Sequence, residues 1–135
     1  MLSGDDSMDL SKLKYSQTHE WALLEGDTCT VGITSFAAEQ LQDITYLKLP
    51  KVGDSVKQEG SFGEVETVKA VSDIYAPVAG TISAVNDTLV DNPDLIKNDP
   101  FGAGWLVKIR TQPGASTAHL LSYEQYQKQI ESSGH

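Results

Sequence analysis

Across residues 14–34, apolar and β-branched side chains fall in two short runs on either side of Glu25-Gly26-Asp27. That cluster has the composition of a hairpin turn, and two paired strands are expected. Ser35-Phe36-Ala37-Ala38-Glu39-Gln40-Leu41-Gln42 opens on a residue able to cap a helix and continues in good helix formers, with Phe36 and Leu41 offered to one face. One short helix follows. Runs of β type resume over residues 43–49, 65–71, 81–85 and 105–109; in the last, Trp105, Val107 and Ile109 alternate with Leu106 and Lys108. Residues 86–101 are rich in Asn, Asp and Pro and read as a surface loop with at most one helical turn near Pro93-Asp94-Leu95-Ile96. Ser122-Tyr123-Glu124-Gln125 fits a capping box, and Tyr123, Tyr126 and Ile130 share a helical face before Ser132, Ser133 and Gly134 end the pattern. The pattern predicts a mainly β protein covered by a C-terminal amphipathic helix.

A weak internal repeat adds to this. Pro50-Lys51-Val52-Gly53 lines up with Pro77-Val78-Ala79-Gly80 at an offset of 27 residues, and the same offset sets Ile44 against Val71 and Leu47 against Ile74. Each copy reads as strand, Pro-x-x-Gly turn, strand, and two such units can pack face to face as a flattened barrel. Two unrelated Pro/Gly turns would give the same match.

With 135 residues, 39% of them hydrophobic, the chain suits one compact domain. Residues 13–131 are assigned to it, with a flexible lead or expression remnant over residues 1–12 and a flexible tail over residues 132–135. Ten basic residues against 19 acidic ones leave a net charge of −9, which repels the phosphate backbone of a nucleic acid. The acids are dispersed, as on an ordinary solvated surface or one that meets basic patches of partners. The single Cys29 excludes an internal disulfide framework and suits a reducing compartment. His19, His119 and His135 lack ligand-like spacing. No run is long enough for a membrane span, and the first residues lack the features of a signal peptide.

One lysine stands out. Phe62-Gly63-Glu64-Val65-Glu66-Thr67-Val68-Lys69-Ala70-Val71 sets Lys69 among β-formers, with no neighbouring cation and no nucleophile or base triad around it. An arbitrary lysine there would be a solubilising surface charge. Glu66-Thr67-Val68-Lys69-Ala70, however, resembles the lipoyl-attachment signature of the glycine cleavage system H proteins, which usually have Ser at the position of Thr67. Further blocks resemble the same family in order and spacing: Lys14-Tyr15, His19-Glu20-Trp21, Val31-Gly32-Ile33-Thr34, Leu49-Pro50-Lys51-Val52-Gly53, Ala76-Pro77-Val78-Ala79-Gly80 and Gly104-Trp105-Leu106. The resemblance runs from about Leu13 to Tyr126.

The resemblance implies a lipoyl-domain-like barrel-sandwich hybrid of two antiparallel sheets, with a short helix after the N-terminal hairpin, a C-terminal helix, and the lysine on a hairpin tip. It implies a non-catalytic carrier with lipoate covalently attached at Lys69. The arm would take the aminomethyl group of glycine from the pyridoxal-phosphate-dependent glycine decarboxylase to the tetrahydrofolate-dependent aminomethyltransferase, and be reoxidised by the FAD-containing dihydrolipoamide dehydrogenase. Gly63, Glu66 and Gly80 match positions tied to recognition by lipoate-attaching enzymes; Glu66 is suited to accept basic groups, and the glycines to allow close backbone approach. Thr18, Glu20 and Asp73 match the polar positions of a cleft that shelters the loaded arm, with Thr18 standing where some members have Ser. A cytoplasmic monomer is expected, or a mitochondrial matrix one if a transit peptide has been removed.

Gln42 departs from the family's usual Gly after the helix, and a Gln held in the left-handed conformation would cost about 1 kcal/mol. Biotin carriers typically flank their lysine with Met, where Val68 and Ala70 stand here. The lipoyl domains of 2-oxoacid dehydrogenases usually have Asp before the lysine. A Schiff-base enzyme would need a desolvated lysine, which a hairpin tip does not provide. An H-like protein that donates lipoyl groups to other proteins fits the same residues as the aminomethyl carrier, and the two readings stay open at this point.

Overall fold

The computed structural model describes residues 13–41, 43–111 and 119–133. The expectations for residues 1–12, for Gln42 and for residues 134–135 lie outside them. The elements in order are β1 (Lys14–Tyr15), β2 (Glu20–Glu25), β3 (Thr28–Ile33), α1 (Ser35–Glu39), β4 (Ile44–Lys48), β5 (Ser55–Val56), β6 (Ser61–Thr67), β7 (Val71–Tyr75), β8 (Gly80–Val85), α2 (Thr88–Asp91), α3 (Leu95–Asn98), β9 (Val107–Thr111) and α4 (Tyr123–Ser133). They form a six-stranded sheet, β1-β2-β3-β9-β8-β5, and a three-stranded sheet, β4-β6-β7, with every pairing antiparallel. This is the two-sheet, mainly β architecture expected from the sequence.

The apolar faces meet between the sheets. Val31, Ile82, Val107 and Ile109 of the larger sheet pack with Leu47, Val65 and Ile74 of the smaller one in a single buried cluster. A second cluster, Leu13, Tyr15, Trp21 and Tyr126, includes a residue of α4. Consecutive residues Trp21 and Ala22 are therefore both buried, one in each cluster. Gly32 lies opposite Trp21, and a Cβ there would stand 2.5 Å from the indole Cε2, so the ring occupies the room a side chain would need.

The capping box at Ser122 is present in full. Gln125 N–H donates to Ser122 Oγ at 3.2 Å, and Ser122 N–H donates to Gln125 Oε1 at 2.9 Å. The first helix starts differently from expectation: Thr34, in extended conformation, is its N-cap and accepts the Ala37 N–H, leaving Ser35 inside the helix. The run over residues 65–71 is two strands broken at residues 68–70. The segment read as loop with at most one helical turn holds two short helices, α3 at the expected turn and α2 before it, whose Ile96 and Leu89 are fully buried. Trp105 precedes the last strand, which continues to Thr111, and α4 runs to Ser133.

Shifted by 27 residues, Ile44–Lys48 falls on Val71–Tyr75, so the repeat brackets β6 with its two corresponding strands. The repeated glycines serve different ends. Gly53 has φ +99° in open space, whereas a Cβ on Gly80 would collide with the Arg110 carbonyl oxygen of the neighbouring β9.

Candidate functional site

The hairpin of β6 and β7 is paired from Ser61 with Tyr75 to Glu66 with Val71, and residues 68–70 form its tip. Thr67 N–H donates to Ala70 O at 2.8 Å and closes the turn. The Thr67 hydroxyl oxygen accepts the N–H groups of both Lys69 and Ala70, each at 3.2 Å. One side chain thus gives partners to amides that the end of a ladder leaves over. Lys69 is exposed between Val68 and Ala70, and its ammonium has no ion-pair partner among the described residues.

The other residues singled out around the lysine divide. Glu66 lies three residues before Lys69, next to Tyr46 of β4 and Val71 of β7 in register, and no partner holds its carboxylate among the described residues. Gly63 is buried in the same strand, where a Cβ would meet the Lys48 carbonyl oxygen. Gly80 lies in the larger sheet, not in the lysine hairpin. Close strand packing is sufficient reason for both glycines.

Thr18, Glu20 and Asp73 do come together. They line one cleft of about 290 Å³, with Ile33, Leu41, Val65 and Ile74 among its apolar walls. A smaller groove of about 140 Å³ lies beside the tip, lined by Gln40, Leu41, Thr67, Lys69, Ala70 and Ser72. Gln40, Leu41 and Ser72 belong to both, so the lysine stands at one end of a continuous surface that leads to Glu20.

Glu20 is 2% exposed. One carboxylate oxygen accepts the Ser16 hydroxyl at 2.5 Å and the Thr18 hydroxyl; the other accepts the Tyr75 N–H at 3.1 Å. Burial pushes this carboxyl above its ordinary value, and the hydrogen bonds from Ser16, Thr18 and the two backbone amides of Tyr75 and Glu20 pull it back. Asp73 is exposed, and its carboxylate accepts the Ser61 hydroxyl at 3.2 Å. Its other oxygen accepts the Tyr75 hydroxyl at 3.5 Å, and the residue also lines the cleft.

Reasoning from sequence missed His19, Thr34 and Tyr126. His19 also lines the cleft, and its φ of +76° is a conformation costing a non-glycine residue about 1–3 kcal/mol. His19 Nδ1 lies 2.8 Å from the Tyr126 hydroxyl, which lies 2.7 Å from the Thr34 hydroxyl. Burial lowers the imidazole pKa and pushes the Tyr126 phenol up to about 12. The His19-Glu20-Trp21 block was the one available signal, and it carries no information about a partner more than a hundred residues away.

Comparison with known proteins bears on this arrangement. The profile of the family described as Glycine cleavage H-protein matches residues 13–133. A glycine cleavage system H protein of Clavibacter sepedonicus is 47% identical over 118 residues, covering 87% of this chain and 94% of the relative. One of Carboxydothermus hydrogenoformans is 45% identical over 122 residues, covering 90% and 94%. The crystal structure of a glycine cleavage system H protein from Mycobacterium marinum superposes with a TM-score of 0.79 at 39% identity, covering 93% of this chain and 98% of that one. These relatives are matched along nearly their whole length, and the chain belongs to the glycine cleavage H-protein family.

Proposed function

We propose that this protein is a non-catalytic carrier of glycine breakdown, with lipoate in amide linkage to Lys69 Nζ. The observation that carries the reading is the exposed Lys69 at a hydrogen-bonded hairpin tip, opening onto a surface that ends at the buried Glu20 carboxylate. The residues fit such a group: apolar side chains flank the path, and polar ones gather at its far end. Bound lipoate supplies a dithiolane that is reduced, loaded with the aminomethyl group of glycine, and reoxidised.

The chain's own residues position and protect. The tip holds Lys69 away from the sheets for its partners. Leu41, Ile33, Val65 and Ile74 exclude water from the path, and Thr18 with Glu20 offers a hydroxyl and a carboxylate to a terminal ammonium. The Asp73 carboxylate adds negative charge at the rim. Glu66 is the acceptor for basic groups of a lipoate-attaching enzyme, with Gly63 allowing the approach of β4 to the hairpin and Gly80 that of β9 to β8 in the sheet behind it. The partners are glycine decarboxylase, aminomethyltransferase, dihydrolipoamide dehydrogenase and the attaching enzymes, and the carrier meets them as a cytoplasmic monomer with a free tip.

Peptide mass spectrometry after incubation with lipoate, ATP and a lipoate-attaching enzyme tests this, with Lys69→Ala as control. A lipoyl increment on Lys69 alone is expected. A folded sample without the increment, treated with an enzyme active on another acceptor, would overturn the reading.

A further inference from the structure

The cleft is bounded by segments distant in sequence, and one hydroxyl group of α4 joins two of them. His19 belongs to the turn that carries Thr18 and Glu20; its N–H donates to Ser16 O at 3.1 Å, and its carbonyl accepts the Thr34 N–H at 3.0 Å. Thr34 caps α1, whose Ala37 lines the cleft. Tyr126 comes from α4 and is 3% exposed, with its ring stacked on Tyr15 at a centroid distance of 4.8 Å. Its hydroxyl is the only group described that touches both His19 Nδ1 and Thr34 Oγ1.

The protons of this chain can be counted. Thr34 Oγ1 already accepts the Ala37 N–H at 3.3 Å, and the described structure gives its own proton no acceptor other than Tyr126. Thr34 therefore donates to Tyr126, and Tyr126 donates to His19 Nδ1. The ring proton of neutral His19 is then on Nε2. In the opposite direction the Thr34 proton would be buried without a partner, since Thr34 is 1% exposed. One tautomer satisfies the whole network.

We infer that Tyr126 is a positioning residue for the cleft: its hydroxyl, relayed through His19 and Thr34, holds the Thr18 and Glu20 side chains where an arm carried on Lys69 delivers its cargo. The left-handed backbone of His19 is costly, and the ring's bond to Tyr126 adds to the backbone bonds with Ser16 and Thr34 that hold it; loss of that bond lets the turn relax and shifts both side chains. The C-terminal helix thus reaches the site without lining it. This rests on the carrier reading.

The test uses the full chain, lipoylated at Lys69, as wild type, Tyr126→Phe, Thr34→Val and Thr34→Ser. Long-range ¹H–¹⁵N spectra of the imidazole report the tautomer. Wild type and Thr34→Ser are expected to show a protonated Nε2 and an accepting Nδ1; in Tyr126→Phe, which keeps the stacked ring, the Nδ1 signal moves toward that of an unbonded nitrogen. After loading with the aminomethyl group, ammonia release to water is expected to rise about tenfold in Tyr126→Phe and Thr34→Val and to stay within twofold of wild type in Thr34→Ser. A proton on Nδ1 in wild type would overturn the inference whatever the variants do. So would an altered Nδ1 signal in Tyr126→Phe with unchanged ammonia release. Failure of wild type to take up lipoate on Lys69 reads differently, since it removes the carrier function while leaving the tautomer result standing.

Discussion

The Thr67 hydroxyl oxygen and the Lys69 amide are joined by a hydrogen bond of 3.2 Å, so the residue that differs from the family's usual Ser is the one that shapes the lysine turn. A second bond of equal length, from Ala70 N–H, ends on the same oxygen. Thr67→Ser should leave the rate of lipoylation within about twofold, and Thr67→Ala should lower it about tenfold, since each amide forfeits a bond of roughly 1 kcal/mol. Quantitative mass spectrometry of the Lys69 peptide over time distinguishes the two.

Glu20→Gln replaces an all-acceptor group with one that also presents an amide NH₂ to the donors of Ser16, Thr18 and Tyr75. Loss of about 1–3 kcal/mol of stability is expected, with lipoylation of Lys69 intact and the amine-loaded form losing ammonia faster. Urea unfolding and an ammonia assay measure the two halves. A variant that sheds ammonia no faster than wild type would remove the carboxylate from its assigned role.

Gly80→Ala and Gly63→Ala should each cost about 1–3 kcal/mol, because the added methyl runs into a carbonyl of the adjacent strand, Arg110 in one case and Lys48 in the other. Gly53→Ala meets open space and should lose about 1 kcal/mol through its positive φ alone. Gly53→Asn should recover part of that loss, whereas Gly80→Asn should recover none. Denaturant midpoints across the five variants check this order.

His19 titrates below its ordinary value of 6.5 in the fold because burial disfavours the imidazolium. Between the folded and unfolded values the unfolded chain binds more protons. The contribution is therefore fully present above about pH 6.5 and is lost as pH falls through the lowered folded value. Melting temperatures between pH 7.5 and 5 should fall for wild type more than for His19→Asn, whose side chain tolerates the left-handed backbone and carries no titrating group. Parallel curves for the two proteins would contradict the assignment.

Much of this was legible in the residues, for identifiable reasons. Glu25-Gly26-Asp27 marks a tight hairpin locally, and the box of Ser122 and Gln125 specifies a helix start within four residues. The place of Lys69 could be read only through the family's words, since alternation ran on through residues 65–71 and did not reveal the break. Leu89 and Ile96 were overlooked because each helix around them is four residues long, too short for a period to declare itself. The contact of His19 with Tyr126 depends on a backbone angle and on the packing of a distant helix, and neither leaves a local pattern.

The position of β9 has a consequence for the order of assembly. The strand is synthesised after all the others, yet it takes an interior place in the larger sheet, between β3 and β8. Until residues 107–111 have left the ribosome, both neighbours are unpaired edges and the cleft's supporting sheet is open. The lysine hairpin has no such wait, since its pairings are local and its strands lie well upstream. On the carrier reading, a nascent chain would thus display Lys69 for modification before the larger sheet behind the cleft is complete.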